Sequence, residues 1–354
     1  MADQFPPFTV AGYGMWTAAG HDGPSSVAAM RAGVSGASKA QLWDRSTGET
    51  INAFRVHSHQ WWEGSSFLPE LIAPVIEDCQ AQIAEMEKLE ATDPEGIPIL
   101  MTLAPKDRPD RAEDLEKRVF DGLAKRLGRA LPHGSGAVPG GRVGLPHLLT
   151  RMVDIGADTA IIVGAESFLR QRIVDFYVME DRLLGAETSS GFIPGEAAAA
   201  IIVTRRRVPG LRLIGVGGGM AASGARGSKE SPVTGDGLTE AIRRAISAAG
   251  LEFHDINVLM ADLNGEHFKF KELSFASARL DRLPEGGVSY RPRGHVELWS
   301  VVETSGEVGA AMMPAAMGWA FAAGQEGYLP GRVVFTAGED SGQRVAVVGE
   351  WADG

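Results

Sequence analysis

Thr9–Gly20 reads TVAGYGMWTAAG, and Arg212–Gly224 reads RLIGVGGGMAASG. Each is a short apolar run broken by glycines and closed by small residues after a methionine. The likeness continues downstream in the same order. Ile97–Leu103 (IPILMTL) matches Ile256–Leu263 (INVLMADL). Near the end of each copy come an Ala- or Leu-rich helix, a strand and a glycine turn, at Leu148–Ala165 and Met312–Gly338. Ordered matches point to an internal duplication. Units of roughly 150–200 residues are too large for a solenoid repeat. They read as two α/β halves packed together, 1–205 and 206–354, joined near Thr204–Pro209 (TRRRVP).

The rest of the pattern agrees with α/β halves. Thr159–Val163 (TAIIV), Ala199–Val203 (AAIIV) and Arg344–Val348 (RVAVV) are short, apolar and partly β-branched, as buried strands are. Pro74–Glu90 reads as a helix, with Val75, Ile76, Cys79, Ile83 and Met86 on one apolar stripe. A second amphipathic helix carries Leu115, Val119, Leu123 and Leu127. Strands alternating with helices imply a largely parallel sheet covered on both faces. Gly supplies 45 of the 354 residues, well above the ~7% norm.

Composition narrows the function classes. The single cysteine, Cys79, cannot make an intramolecular disulfide or a thiolate zinc cluster. A net charge of −11 argues against a nucleic-acid footprint. The stretch MADQFPPFTVAG has neither the basic start nor the apolar core of an export signal. No run approaches the ~20 apolar residues of a transmembrane helix. A cytoplasmic location without a membrane span is expected.

Several stretches resemble the β-ketoacyl synthase branch of the thiolase-fold family. Val10–Gly20 with Ser26–Gly36 (SVAAMRAGVSG) resembles that family's opening strand and first helix. Gly156–Ser167 (GADTAIIVGAES) resembles the strand and turn after its nucleophile helix. Gly191–Val203 (GFIPGEAAAAIIV) is similar to its GF-x-x-GE-GA segment, and Ser305–Ala311 (SGEVGAA) to its second histidine segment. Gly237–Asp262 resembles the helix and strand opening the second half. The resemblance spans nearly the whole chain. It implies a five-layered α-β-α-β-α duplication with a twisted mixed sheet in each half. It also implies a dimer formed by the first half, with Thr159–Val163 near an interface strand.

The family's chemistry uses a cysteine at a helix N-terminus, where the dipole lowers the thiol pKa and a backbone amide helps stabilise the oxyanion. The matching segment is Gly136–Gly141 (GAVPGG), which puts Val138 at the nucleophile position and Pro139 beside it. Valine has no atom that can form an acyl intermediate. The two histidines of the family correspond to Asp262 and Glu307, and its lysine to Val302. The final glycine-rich turn reads TAGEDSG, Thr336–Gly342. Losing a nucleophile alone costs on the order of 10⁶ in turnover in a tightly coupled triad, so a degenerate enzyme without a cofactor is expected.

Other constellations bear on possible chemistry. Asp262 and Glu307 brought together are a candidate acid–base pair, and with His267 a conceivable metal site. The plain alternative is carboxylates that cap helices or pair with arginines such as Arg291 or Arg293. His57 and His59 in Arg55–His59 (RVHSH) share a strand face beside Trp61 and Trp62, more simply a solvated segment than a metal site. Ser135 lacks the flanking glycines of a nucleophile elbow, having His133 and Ala137 there. Gly12 and Gly215 fail the dinucleotide fingerprint, since Thr17 and Met220 stand where the third glycine belongs. Their glycines suit tight turns at strand ends. The run Glu113–Arg118 reads as a solvated helix face, Arg205–Arg207 as a short link, and Met312–Met313 as core filler.

Three functions remain. The first is a non-catalytic protein that acts by binding another protein, as an adaptor or chaperone-like factor of the kind found beside bacterial toxin-delivery systems. The second is a chain-length-factor-like subunit pairing with an active synthase, a heterodimer in place of a homodimer. The third is an enzyme with altered acid–base chemistry on Asp262 and Glu307.

Overall fold

A computed structural model describes residues 8–57, 66–86, 93–222, 226–228, 231–281 and 295–354. The first part of the chain forms β1 (Phe8–Trp16), α1 (Gly23–Ala32), β2 (Ser38–Asp44), β3 (Glu49–Ala53) and α2 (Leu68–Glu85). It continues with β4 (Ile99–Thr102), α3 (Leu115–Leu127), β5 (Gly136–Val138), α4 (Leu145–Asp154), β6 (Thr159–Ser167), α5 (Gln171–Met179) and β7 (Glu196–Thr204). Then come β8 (Gly210–Met220), α6 (Asp236–Ala248), β9 (Val258–Ala261), α7 (His267–Leu280) and β10 (Glu297–Trp299). The last elements are α8 (Val302–Ser305), α9 (Met312–Gln325), β11 (Val333–Gly338) and β12 (Gln343–Ala352).

Among the described residues ten strands form one sheet, ordered β10-β9-β11-β12-β8-β1-β7-β6-β4-β5. The order is a mirror about the β1–β8 seam, where Phe8, Thr9 and Val10 pair antiparallel with Leu213, Arg212 and Leu211. Outward from the seam each side runs through two antiparallel pairings and then two parallel ones. The strand pairs matched in the sequence, β1 with β8 and β4 with β9, occupy equivalent places.

Alternation along the strands builds the layers. On β6, Ala160 and Ile162 face a core shared with Leu145, Leu148, Leu149 and Met152 of α4 and the apolar length of α9. Ile161, Val163 and Ala165 face α2 and α3 on the other side. In the second half Val258 and Met260 face the same central core, while Leu259 and Ala261 face α6 and α7. Five layers result, α-β-α-β-α. Helix α9 lies between both sheet halves and is buried from Met312 through Ala323, which is why its sequence is apolar on every side.

Two local expectations are corrected. Helix α2 begins at Leu68, with Pro69 in its first turn and Pro74 inside it. Pro74 forgoes one intrahelical bond, and the burial of Leu71, Ile72, Val75, Ile76, Cys79 and Ile83 offsets that loss. Strand β6, which holds Thr159–Val163, lies inside the sheet between β7 and β4, two strands from β5, the edge strand of the first half among the described residues. The glycines do not mark turns at strand ends but lie within β1 and β8. A Cβ on Gly215, Gly217 or Gly219 would stand 2.1, 2.1 or 2.0 Å from a carbonyl oxygen of α6, at Ala245, Ala241 and Gly237 respectively. One on Gly14 would lie 2.5 Å from Val75 O of α2. Glycine lets the outer helices lie directly on the sheet.

Gly218, on the opposite face of β8, would place a Cβ no nearer than 3.9 Å to any neighbouring heavy atom. Gly217→Ala is therefore expected to lower the unfolding free energy by about 1–3 kcal/mol through overpacking. Gly218→Ala should leave it unchanged or raise it by roughly 0.5 kcal/mol. Urea titration of both variants checks the contrast, and equal losses would contradict this account of β8.

Candidate functional site

Two short 3-10 turns, Gly141–Val143 and Gly309–Ala311, precede the central helices α4 and α9. Both open on a glycine with positive φ, 53° at Gly141 and 51° at Gly309. A Cβ at Gly141 would meet Glu339 Oε1 at 2.2 Å, and one at Gly309 would meet Glu166 Oε2 at 2.0 Å. The space left by the absent side chain lets a carboxylate reach the turn's free N–H groups. Arg142 N donates to Glu339 Oε1 at 2.6 Å, and Ala310 N donates to Glu166 Oε2 at 2.9 Å. Glu166 ends β6 and Glu339 follows β11, so each half supplies the carboxylate that caps the other half's turn.

Buried guanidinium groups tie these carboxylates together. Arg108 Nε donates to Glu166 Oε1 at 2.6 Å and its Nη2 to Glu339 Oε2 at 3.4 Å. Arg142 donates from Nε to Glu307 Oε1 at 3.1 Å, lies 2.8 Å from Glu307 Oε2 through Nη2, and reaches Glu339 Oε2 and Gly338 O through Nη1. Asn264 Nδ2 donates to Glu307 Oε2 at 2.7 Å and to Glu266 Oε2 at 3.1 Å. Arg182 closes the chain with paired bonds to Glu266 and to Asp340. Both side chains of the Arg142–Glu307 pair are 2% exposed.

The network shifts three of its carboxyls. Burial alone would raise the Glu307 carboxyl, but the Arg142 guanidinium and the Lys269 charge overcome it, and the value falls to about 2. Asp340 is likewise held below the usual carboxylate range; burial opposes this, and the Arg182 hydrogen bonds and charge prevail. Glu166 goes the other way. Its burial, with Glu339 nearby, outweighs the Arg108 charge and pushes its carboxyl up.

The sequence-matched positions divide. Val138 ends β5, and its carbonyl accepts from Leu103 N at 3.0 Å. Val302 opens α8 and is buried. Asp262 follows β9, where Lys269 Nζ approaches to 2.6 Å and Gly338 N donates at 3.1 Å. Asp262 and Glu307 thus border one network, linked through Gly338, whose N–H binds Asp262 while its carbonyl binds Arg142. Glu307 pairs with an arginine, Arg142, whereas Asp262 pairs with Lys269; Arg291 and Arg293 lie outside the described residues. His267 is the exposed first residue of α7 and donates its N–H to Ser190. Among the described residues no group of three or more His, Cys, Asp or Glu is arranged to hold a metal ion. Residues 55–57 are irregular rather than a strand, and His59, Trp61 and Trp62 lie outside the described residues. Ser135 Oγ accepts the N–H of Ile99 at 2.9 Å and so completes a strand start. Cys79 is fully buried on α2, and burial pushes its thiol far up.

Sequence reasoning passes over Arg108, Arg142, Arg182, Glu166, Glu266, Glu339 and Asn264. The available signal is charge inside glycine-rich or apolar text: Arg142 in GGRVG, Glu166 after TAIIVGA, Glu339 in TAGED.

Glu307 Oε1 accepts from Arg142 Nε and Gly309 N, and Oε2 accepts from Asn264 Nδ2 with Arg142 Nη2 standing 2.8 Å away. Three of the roughly four acceptor sites of a carboxylate are thus taken by groups of the chain itself, beside a buried cation.

The whole chain is similar to ketosynthase structures. A ketosynthase in complex with its chain length factor from Xenorhabdus doucetiae matches at 15% identity and TM-score 0.73, over 99% of this chain and 100% of that one. The ishigamide ketosynthase/chain length factor matches at 15% identity and TM-score 0.72, over 98% and 99%. A type II PKS acyl-carrier protein in complex with its ketosynthase bound to the hexaketide matches at 14% identity and TM-score 0.73, over 99% and 100%. No protein-family model and no curated protein matches the sequence. The chain has the thiolase-like ketosynthase fold. No helix among the described residues is long and apolar enough to cross a membrane.

A carboxyl held from 4.5 down to about 2 contributes on the order of 3 kcal/mol at neutral pH. Because the folded value is the lower one, this stability is present above pH 4.5 and is lost as pH falls through about 2. Glu307→Gln is expected to lose roughly that amount at pH 7. Its deficit against the wild type should persist to pH 5 and narrow only below 4.5. Denaturant titrations at several pH values measure it.

Proposed function

We propose that the chain is a non-catalytic, chain-length-factor-like subunit that pairs with an active β-ketoacyl synthase. One observation carries the reading. At Glu307, where the resemblance places a histidine, the carboxylate is held by the buried Arg142 guanidinium, Gly309 N and Asn264, while Val138 stands at the nucleophile position. Such a site keeps the fold of a condensing enzyme and offers no acid, base or thiol. The altered-enzyme reading loses support for the same reason, since Asp262 is committed to Lys269 and Gly338. The structures similar to this chain include a ketosynthase with its chain length factor, and none of the three names a secretion system, so the adaptor reading yields to its alternative.

The fold also offers a surface for such a partner. Strand β5 has β4 on one side, and among the described residues its other edge is unpaired. Elsewhere α4 leaves His147, Thr150 and Val153 exposed on one stripe, the first two lining a cavity with Val216, Gly217 and Gly218 of β8, whereas its counterpart α9 is buried. A free strand edge is a liability for a lone chain. We assign the pairing to this side of the first half, residues 1–205, with 206–354 as the second.

Co-expression with a Cys-containing β-ketoacyl synthase from the same genome should yield a stable one-to-one complex by gel filtration with light scattering. A chain that ignores every synthase and retains a toxin instead would return the adaptor reading. Treatment with a cysteine-directed condensing-enzyme inhibitor should leave residues 136–141 unlabelled in peptide mass spectra, while the partner's thiol reacts. An adduct within 136–141 would overturn the non-catalytic assignment.

A further inference from the structure

Strand β5, the following turn and α4 form one continuous run at the edge of the first half. The strand pairs over only three residues with β4. Beyond it, Gly141 N donates to Leu103 O at 2.8 Å, and Thr102 Oγ1 donates to Gly141 O at 2.9 Å. The next residue is Arg142, and each of its identified bonds runs to the second half. Its backbone N–H binds Glu339, and its guanidinium binds Glu307, Glu339 and Gly338 O. A side chain that merely occupied an unused pocket would need volume alone. Here two carboxylates and a carbonyl, separated from Arg142 by more than 160 residues of chain, fix both its backbone and its head group.

We infer that Arg142 is a positioning residue for subunit pairing, a clasp through which the second half sets the place of the β5–α4 edge. The inference rests on the pairing proposed above. The vestigial site then contributes to the interface by holding the edge rather than by touching the partner. The residue sits between β5 and α4, and its anchors are Glu307, before α9, and Glu339, after β11. Loosening those anchors frees the edge while leaving the two outer helical layers untouched.

Hydrogen exchange of Arg142→Met, which keeps most of the side-chain volume, tests this on the isolated chain. Amides of residues 136–144 should exchange about tenfold faster, the change given by a loss of about 1.4 kcal/mol in local opening free energy, while β7 and α6 hold their rates. Glu339→Gln, which spares the Glu307 bonds, should give a smaller rise at the same amides, and it carries the measurement if Arg142→Met does not fold. Affinity for the co-expressed synthase should fall about tenfold in step. Unchanged exchange at 136–144 in a folded variant, or a uniform rise across the chain, overturns the clasp. A local rise with undiminished affinity overturns its role in pairing. A wild type that binds no synthase overturns the earlier reading instead, and the exchange arm still decides whether the clasp exists.

Discussion

Burying a guanidinium is the constraint on which the centre of this molecule depends. The desolvation cost is several kcal/mol per ion unless every donor finds an acceptor and the charge is matched. Arg108, Arg142 and Arg182 all come from the first half, and four of their carboxylate partners, Glu266, Glu307, Glu339 and Asp340, come from the second. Neither half can bury its share alone. The first would carry unpaired cations and the second unpaired anions. Packing of the halves is therefore specified by charge as well as by the apolar core that α4 and α9 share with both sheets.

The same constraint explains the glycines at the two turns. A capping carboxylate must come within hydrogen-bond distance of a backbone N–H at the start of a central helix. At Gly141 and Gly309 any side chain would already occupy that place, and the positive φ at both is open to glycine at little cost. In β1 and β8 glycine acts differently. At Gly14, Gly215, Gly217 and Gly219 the close neighbour is the backbone of α2 or α6, and the missing methyl sets the spacing between layers. Residues of one type thus serve two geometries, one electrostatic and one steric.

Much of the architecture is legible in the sequence because strand pairing and layer packing repeat. The β1–β8 and β4–β9 matches, the apolar strands, α3 and the core placement of Cys79 and Met312–Met313 all follow from local periodicity and ordered similarity. The start of α2 does not, because a proline suits a first turn and is rare but tolerable inside a well-packed helix. The glycines of β8 look like turn residues in the sequence because what they accommodate, the α6 backbone, lies in another element. The site is legible only in part. Asp262 and Glu307 can be located by matching text, but their partners cannot. Arg142 lies 165 residues from Glu307 and 197 from Glu339 in sequence, and no local pattern announces a pair at such a separation.

A buried ion network is weak evidence of stability, because well-packed apolar residues of similar volume often serve as well or better. What charge adds is direction. Arg142 donates from Nε to Glu307 Oε1, with Nη2 2.8 Å from Oε2, and from Nη1 to Gly338 O and Glu339, and bonds from one planar group to several acceptors fix angle as well as distance. Apolar packing would tolerate small slides of α4 against the second half; this arrangement does not. The raised Glu166 carboxyl sharpens the point. Around the three arginines the network carries five carboxylates, Glu166, Glu266, Glu307, Glu339 and Asp340. Of these, burial raises the Glu166 carboxyl, whereas Glu307 and Asp340 are held low by their arginines. Glu307, which the resemblance matches to a histidine, is held below the usual carboxylate range by Arg142 and Lys269, and the same guanidinium ties the turn between β5 and α4 to Gly338 and Glu339 of the second half.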